Sequence, residues 1–96
     1  MSTKPEGSKA TKDLTIENRN GLHARPAALF VKTSSRFRAE VWVEKDGERV
    51  NGKSIMGLMM LAAGKGSVLR VTAVGDDAGI ALTELEQLIS ARFGEE

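Results

Sequence analysis

Three segments of the chain alternate between apolar and polar residues, which is typical of strands with one buried face. The segments are residues 12–17, 39–44 and 67–74. In the second segment Ala39, Val41 and Val43 share one face, so Trp42 is expected on the exposed face of the sheet. In the third segment both faces contain apolar residues, and the pattern leaves open which of them is buried.

Helical spacing of apolar residues predicts three helices. Pro26 suits the first turn of a helix that ends near Ser34, because a proline loses no hydrogen bond there. Ser54 precedes a short apolar helix over residues 55–61 and is a candidate for its N-cap. The last helix follows two aspartates, and its wide apolar stripe consists of Ala78, Ala81, Leu82, Leu85, Leu88, Ile89 and Phe93.

The predicted order of elements is β-α-β-β-α-β-α. Asp46-Gly47 favours a tight hairpin that leads into a short return strand over residues 48–51. A central hairpin and one-sided strands favour an α+β fold, with helices on one face of an antiparallel or mixed sheet. Residues 1–10 are mostly small, polar or charged and are predicted to form a mobile tail, so the domain is expected to span residues 11–96.

Composition excludes several kinds of site. The chain has no cysteine, which excludes disulfides, thiolate metal sites and cysteine nucleophiles. Its one histidine, His23, excludes a multi-histidine zinc site, and neither a metal nor a cofactor is expected. A formal net charge of +1 is too small for a protein that binds nucleic acid chiefly by neutralising phosphates. No apolar segment approaches the ~20 residues of a membrane-spanning helix, and the predicted location is the cytoplasm, without membrane insertion.

His23 lies between a glycine turn and the first helix, in the segment Gly21-Leu-His-Ala-Arg-Pro-Ala-Ala28. The unpaired N–H groups at the start of that helix and the guanidinium of Arg25 favour an anion at this position. An imidazole placed there can act as a covalent nucleophile for a phosphoryl group. On position alone, a single histidine before a helix is more often a cap or a surface residue. The sequence implies no carboxylate or serine as a hydrolytic partner, which favours a phosphate carrier over a hydrolase.

Two motifs resemble those of a known family. The segment around His23 strongly resembles the active-site signature of the HPr family, the histidine-containing phosphocarrier proteins of the bacterial phosphoenolpyruvate:sugar phosphotransferase system. The segment Val50-Asn-Gly-Lys-Ser-Ile-Met-Gly57 resembles the regulatory serine motif of the same family. The spacing and the order of elements match from about residue 12 to residue 93, so the resemblance covers nearly the whole chain.

The resemblance implies a fold, a function and a set of partners. The fold would be an open-faced sandwich, in which a four-stranded antiparallel sheet carries three helices on one side. His23 would accept a phosphoryl group on Nδ1 from enzyme I and pass it to IIA proteins, without independent catalysis. Arg25 would stabilise the phosphoryl charge, and Pro26 would set the start of the helix. The chain is expected to be a monomer.

The resemblance also implies that Ser54 is phosphorylated by the HPr kinase/phosphorylase. Capping and modification are compatible, because a phosphate is electrostatically favourable at a helix N-terminus. The predicted change is therefore at the surface, where added negative charge should weaken the binding of enzyme I. The family docks its partners on the short helix and the start of the first helix, so the expected binding residues are Ala24, Ile55, Met56 and Met59. Leu58 and Leu61 are expected in the core.

Two alternative functions remain open at the level of sequence. One is a regulatory binding module that acts mainly through phosphorylation of Ser54 and docking of partners such as transcriptional regulators. The other is a carrier in the nitrogen-related phosphorelay branch of the family, which the well-kept serine motif disfavours. A third branch of the family keeps the serine and lacks the histidine, and His23 excludes it.

Overall fold

The computed structural model describes residues 8–95, which form one four-stranded antiparallel sheet with helices packed against it. The helices and strands, in chain order, are β1 (Lys9–Thr15), α1 (Ala24–Ser34), β2 (Glu40–Lys45), β3 (Glu48–Asn51), α2 (Ile55–Met60), β4 (Val68–Val74) and α3 (Ala78–Ser90), followed by a 3-10 turn (Arg92–Gly94). This is the predicted order, and the strands lie in the order β1-β4-β2-β3 across the sheet. The sequence could not supply that order.

One face of the sheet carries the core. In β4 the buried side chains are those of Leu69, Val71 and Ala73, which settles the choice that periodicity left open. The register explains it, because Val71 and Ala73 lie opposite Val43 and Val41 of β2, the residues already assigned to the buried face. The hairpin between β2 and β3 turns at Asp46 and Gly47, which both have positive φ, as an Asp-Gly turn of this kind requires.

The opposite face of the sheet is polar and carries a ladder of alternating charges. The register places Arg49, Glu44, Arg70 and Asp13 side by side across all four strands. Opposite charges on neighbouring strands attract, and Arg70 Nε donates to the Asp13 carboxylate at 3.0 Å. Trp42 lies on this face as predicted, and the guanidinium of Arg49 stacks 4.4 Å above its ring. Trp42 is half-buried on this face and thus has a structural partner.

The first strand begins earlier than the sequence predicts. β1 starts at Lys9, and Lys9 and Ala10 pair with Val74 and Ala73 of β4, so the assignment of residues 1–10 to a tail is wrong for its last two residues. The alternation is hidden there because β1 is an edge strand whose side chains are mostly exposed. Residues 1–7 of the predicted tail lie outside the described residues, as does residue 96.

The last helix ends before Phe93, so the predicted stripe is correct only as far as Ile89. Arg92 and Phe93 have φ of 56° and 54°, which breaks the helix after Ser90. Phe93 is nevertheless buried, because the turn directs its side chain back into the core. The same turn carries the chain end back toward the start of α1.

Candidate functional site

The segment before α1 places His23 at the N-cap of the helix. Gly21 has φ of 70°, and a Cβ there would lie 2.4 Å from the carbonyl oxygen of Ala63, so only glycine fits. The next residue, Leu22, is buried and donates its N–H to the same carbonyl at 2.8 Å. His23 follows with extended backbone and accepts the first helical hydrogen bond, from the Ala27 N–H to its own carbonyl at 2.9 Å.

The imidazole of His23 does not cap the helix but contacts the far end of the chain. Its Nε2 lies 2.9 Å from Oε1 of Glu95, a residue 72 positions away. Oε2 of the same carboxylate accepts from Nη1 of Arg25 at 3.0 Å. Asn18, which is fully buried, donates from Nδ2 to Glu95 Oε1 at 3.0 Å and to the Gly21 carbonyl at 2.7 Å. Glu95 therefore joins the three residues into one cluster.

The state of Glu95 fixes the proton on the histidine ring. Hydrogen bonding to His23 holds the pKa of the Glu95 carboxyl below its usual value, and the contacts with Asn18 and Arg25 act in the same direction. An ionised carboxylate can only accept hydrogen bonds, so the ring nitrogen facing it, Nε2, must carry the proton. In the neutral ring the other nitrogen, Nδ1, then has a free lone pair. Within residues 8–95 the His23 ring makes one hydrogen bond, the one from Nε2 to Glu95.

Sequence reasoning missed Glu95. The residue belongs to no periodic segment and no motif, and only the turn at Phe93 and Gly94 brings it back to α1. The sequence pointed to no acidic partner for the imidazole, whereas the structure supplies a carboxylate within hydrogen-bonding distance. The one usable signal would have been the buried Phe93, which ties the chain end to the core two residues earlier.

Ser54 caps α2 as predicted. Its Oγ accepts from the N–H of Gly57 at 3.0 Å, and its backbone is extended, as an N-cap requires. A Cβ on Gly57 would lie 3.2 Å from this Oγ and 3.4 Å from the Cβ of Val50. Glycine at this position therefore lets Ser54 and Val50 pack close to the first turn of α2. Ser54 is half-buried, and the exposed apolar residues begin immediately after it.

The exposed face of α2 agrees with the predicted division between core and surface. Leu58 and Leu61 are buried, while Ile55, Met56 and Met59 are exposed. Met60, which the sequence left unassigned, is also exposed. Ala24 and Arg25 are exposed at the start of α1, and α1 and α2 pack against each other. Together the exposed side chains of α2 form the α2 surface, which consists of Ile55, Met56, Met59 and Met60.

A shallow depression of about 280 Å³ lies beside His23 and reaches the α2 surface. It is lined by Asn20, Leu22, His23, Met59, Ala62, Ala63 and Gly64. A larger cleft of about 360 Å³ lies on the polar face of the sheet, over Trp42 and the charge ladder. The smaller depression is the better candidate site, because it contains the only imidazole of the chain.

Residues 8–95 contain neither a metal-binding cluster nor a membrane-spanning helix. No group of three or more His, Cys, Asp or Glu side chains in this range is arranged to hold a metal ion. None of the helices in the same range is long and apolar enough to cross a membrane.

Comparison with known proteins agrees with both the fold and the motifs. Residues 10–91 match the family model described as "PTS HPr component phosphorylation site". The phosphocarrier protein HPr of Neisseria meningitidis serogroup A is 52% identical over 82 residues, which are 85% of this chain and 92% of the relative.

Solved structures give the same result. The crystal structure of HPr-C-His from Thermoanaerobacter tengcongensis has a TM-score of 0.88 and is 50% identical, covering 91% of this chain and 98% of that one. A crystal structure of Crh, the catabolite repression protein of Bacillus subtilis, is described as a dimer with a swapped domain. It has a TM-score of 0.71 and is 39% identical, covering 96% of this chain and 97% of that one. The chain belongs to the HPr family of phosphocarrier proteins.

Proposed function

We propose that this chain is a phosphocarrier that accepts a phosphoryl group on Nδ1 of His23 from enzyme I and passes it to IIA proteins. The observation that carries the proposal is the contact between Glu95 and Nε2. Because the proton is held on Nε2, the lone pair of Nδ1 can attack phosphorus without prior removal of a proton. The bond from phosphorus to Nδ1 forms as the bond to the donor breaks.

The surroundings of the ring suit a phosphoryl group that is held and then released. The N–H groups of Ala24 and Arg25 precede the first helical hydrogen bond of α1, and the start of a helix favours an anion. The guanidinium of Arg25 is paired with Glu95 in the unphosphorylated chain. We expect Arg25 to exchange this carboxylate for phosphoryl oxygens, since a guanidinium can bind either group through two N–H donors.

No hydrolytic machinery accompanies the ring within the described residues. A carboxylate on one ring nitrogen also orients the histidine of a serine hydrolase, but that arrangement needs a hydroxyl nucleophile on the other nitrogen. Within residues 8–95 the side chain of His23 makes no hydrogen bond to a serine or threonine hydroxyl. The side chain of His23 is 41% exposed, so a partner protein can reach it. These observations favour a carrier whose donor and acceptor are other proteins.

Ser54 and the α2 surface give the carrier a second level of control. We expect the partners to dock on the α2 surface together with Ala24 and Arg25, because apolar methionine side chains can adapt to several partners. Phosphorylation of Ser54 by the HPr kinase/phosphorylase would add about two negative charges at the edge of this surface. The cap hydrogen bond from Gly57 can be kept by a phosphate oxygen, so the fold should survive.

The alternative function is a regulatory module that works mainly through Ser54. The similarity to Crh favours this alternative, and so does the exposed apolar α2 surface beside the serine. A nitrogen-related phosphorelay would use His23 in the same way and differ only in its partners. The cytoplasm as location and a monomer as the working state remain predictions, and sedimentation of the purified chain would test the second.

The test is phosphate transfer from phosphoenolpyruvate through enzyme I to the wild type, to His23→Ala and to Ser54→Asp. We expect acid-labile phosphate on the wild type, none on His23→Ala and slower labelling of Ser54→Asp. A wild type that stays unlabelled by a competent cognate enzyme I would contradict the carrier function and favour the Ser54-centred module.

A further inference from the structure

Three methionine side chains are exposed together on α2. The chain contains four methionines and no cysteine, so thioethers are the only sulfur groups that an oxidant can reach. The exposed fractions of Met56, Met59 and Met60 are 73%, 43% and 67%. Their spacing of three and four residues places all three sulfurs on one face of the helix, while the buried face is made by Leu58 and Leu61. The core therefore does not depend on these methionines.

Met59 connects this face with the histidine. Its side chain lines the depression beside His23, together with Leu22 and Ala62. A donor protein that docks over this depression to reach the imidazole would cover Met59. A change in the polarity of the Met59 side chain would therefore alter a contact from which the two proteins have to exclude water.

We propose that Met59, supported by Met56 and Met60, is a peroxide-sensitive site that lowers phosphoryl transfer to His23 when it is oxidised. In the reaction the sulfur gives two electrons to hydrogen peroxide. One peroxide oxygen bonds to sulfur as the sulfoxide, the O–O bond breaks and water leaves. The product is polar and chiral, so it weakens an apolar contact without disturbing the buried face of α2. A dithiol reductant reverses the change. The dithiol is oxidised to a disulfide, the sulfoxide is reduced to the thioether, and the oxygen leaves as water.

This inference rests on the proposed docking of enzyme I at the α2 surface. The first test treats the wild type with dilute hydrogen peroxide, removes the excess with catalase, locates sulfoxides by peptide mass spectrometry and measures the initial rate of phosphorylation. The expected result is a rate that is roughly fivefold to tenfold lower, with an unchanged unfolding midpoint. Treatment with a methionine sulfoxide reductase and a dithiol should restore the rate.

Two variants identify the sulfur responsible. In Met59→Leu the treated sample should keep most of the rate of its own untreated sample. The matched control is Ile80→Met, made in a chain in which Met56, Met59 and Met60 are all leucine. Ile80 is 63% exposed near the start of α3, at the opposite end of that helix from the turn that leads to Glu95. Oxidation of this new methionine should leave the rate unchanged.

The outcomes separate this inference from the proposed function. An untreated wild type that takes up no phosphate contradicts both. An untreated wild type that is phosphorylated normally, and a chain oxidised at Met59 that is phosphorylated equally fast, contradict the inference alone. The inference also fails if Met59→Leu loses as much rate on treatment as the wild type does, or if oxidation lowers the unfolding midpoint enough to explain the loss.

Discussion

The starts of α1 and α2 look alike in backbone and differ in what their first side chain does. His23 and Ser54 are both N-cap residues with extended backbone. The Ser54 hydroxyl accepts from Gly57, three residues on, and serves its own helix. The His23 ring makes no such bond and contacts Glu95, 72 residues away. The side chain of His23 is not needed by its own helix and is therefore available for chemistry. The side chain of Ser54 caps its helix, so it can be modified without loss of the cap only if the modified group still accepts the same hydrogen bond.

The largest expected effect on phosphoryl transfer is that of a negative charge at Ser54. Ser54→Asp should slow phosphorylation by enzyme I by about tenfold or more, because a negative charge at the docking surface should cost about 1.4 kcal/mol or more in the binding of enzyme I. Initial rates at limiting concentration measure the effect. Gln87→Glu adds the same charge on the exposed side of α3 and should change the rate little. Equal slowing by both variants would show that the rate depends on the net charge of the chain and not on the position of the added charge.

Gly21→Ala tests the loop that holds His23. The added Cβ would approach the Ala63 carbonyl to 2.4 Å, and the positive φ disfavours alanine, so we expect a loss of about 2 kcal/mol or more in the free energy of unfolding. Urea unfolding measures it. Gly64→Ala is the matched control, because its Cβ would meet no heavy atom within 4 Å. Equal losses of stability in the two variants would contradict the claim that the loop before His23 requires glycine at position 21.

Ser54→Ala tests the local role of the serine. Loss of the cap hydrogen bond should lower the free energy of unfolding by about 1 kcal/mol, in keeping with other serine caps. Ser54→Asp, whose carboxylate can accept from the same N–H, should lose less. The comparison uses urea unfolding of the same two variants. An alanine variant as stable as the wild type would mean that Ser54 does not support its helix.

Glu95→Gln tests the long-range role of the carboxylate through pH. The pKa of Glu95 is lowered in the folded chain, so its contribution to stability is present above the ordinary value of 4.5 and is lost as pH falls through the lowered pKa. The stability difference between wild type and Glu95→Gln should therefore shrink with acidification below pH 4.5. Urea unfolding at a series of pH values measures it, with Glu48→Gln, an exposed carboxylate of β3, as the control. A difference that does not change with pH would contradict the contact.

The sequence predicts features that depend on near neighbours and misses those that depend on distant ones. The cap at Ser54, the Asp46-Gly47 hairpin and the buried side of α2 all follow from residues a few positions apart. The start of β1 was missed because an edge strand pairs through its backbone and leaves most side chains exposed. Glu95 was missed because its position depends on how α3 packs and where it stops, and no local pattern reports either.

The most direct test of the account is NMR of the His23 ring nitrogens in ¹⁵N-labelled protein, before and after phosphorylation by enzyme I. Before phosphorylation, the neutral ring should carry its proton on Nε2, facing Glu95. Afterwards, phosphorus should be coupled to Nδ1, with the proton still on Nε2. Phosphorus bound to Nε2, or a neutral ring protonated on Nδ1, would contradict the claim that Glu95 selects the reactive nitrogen.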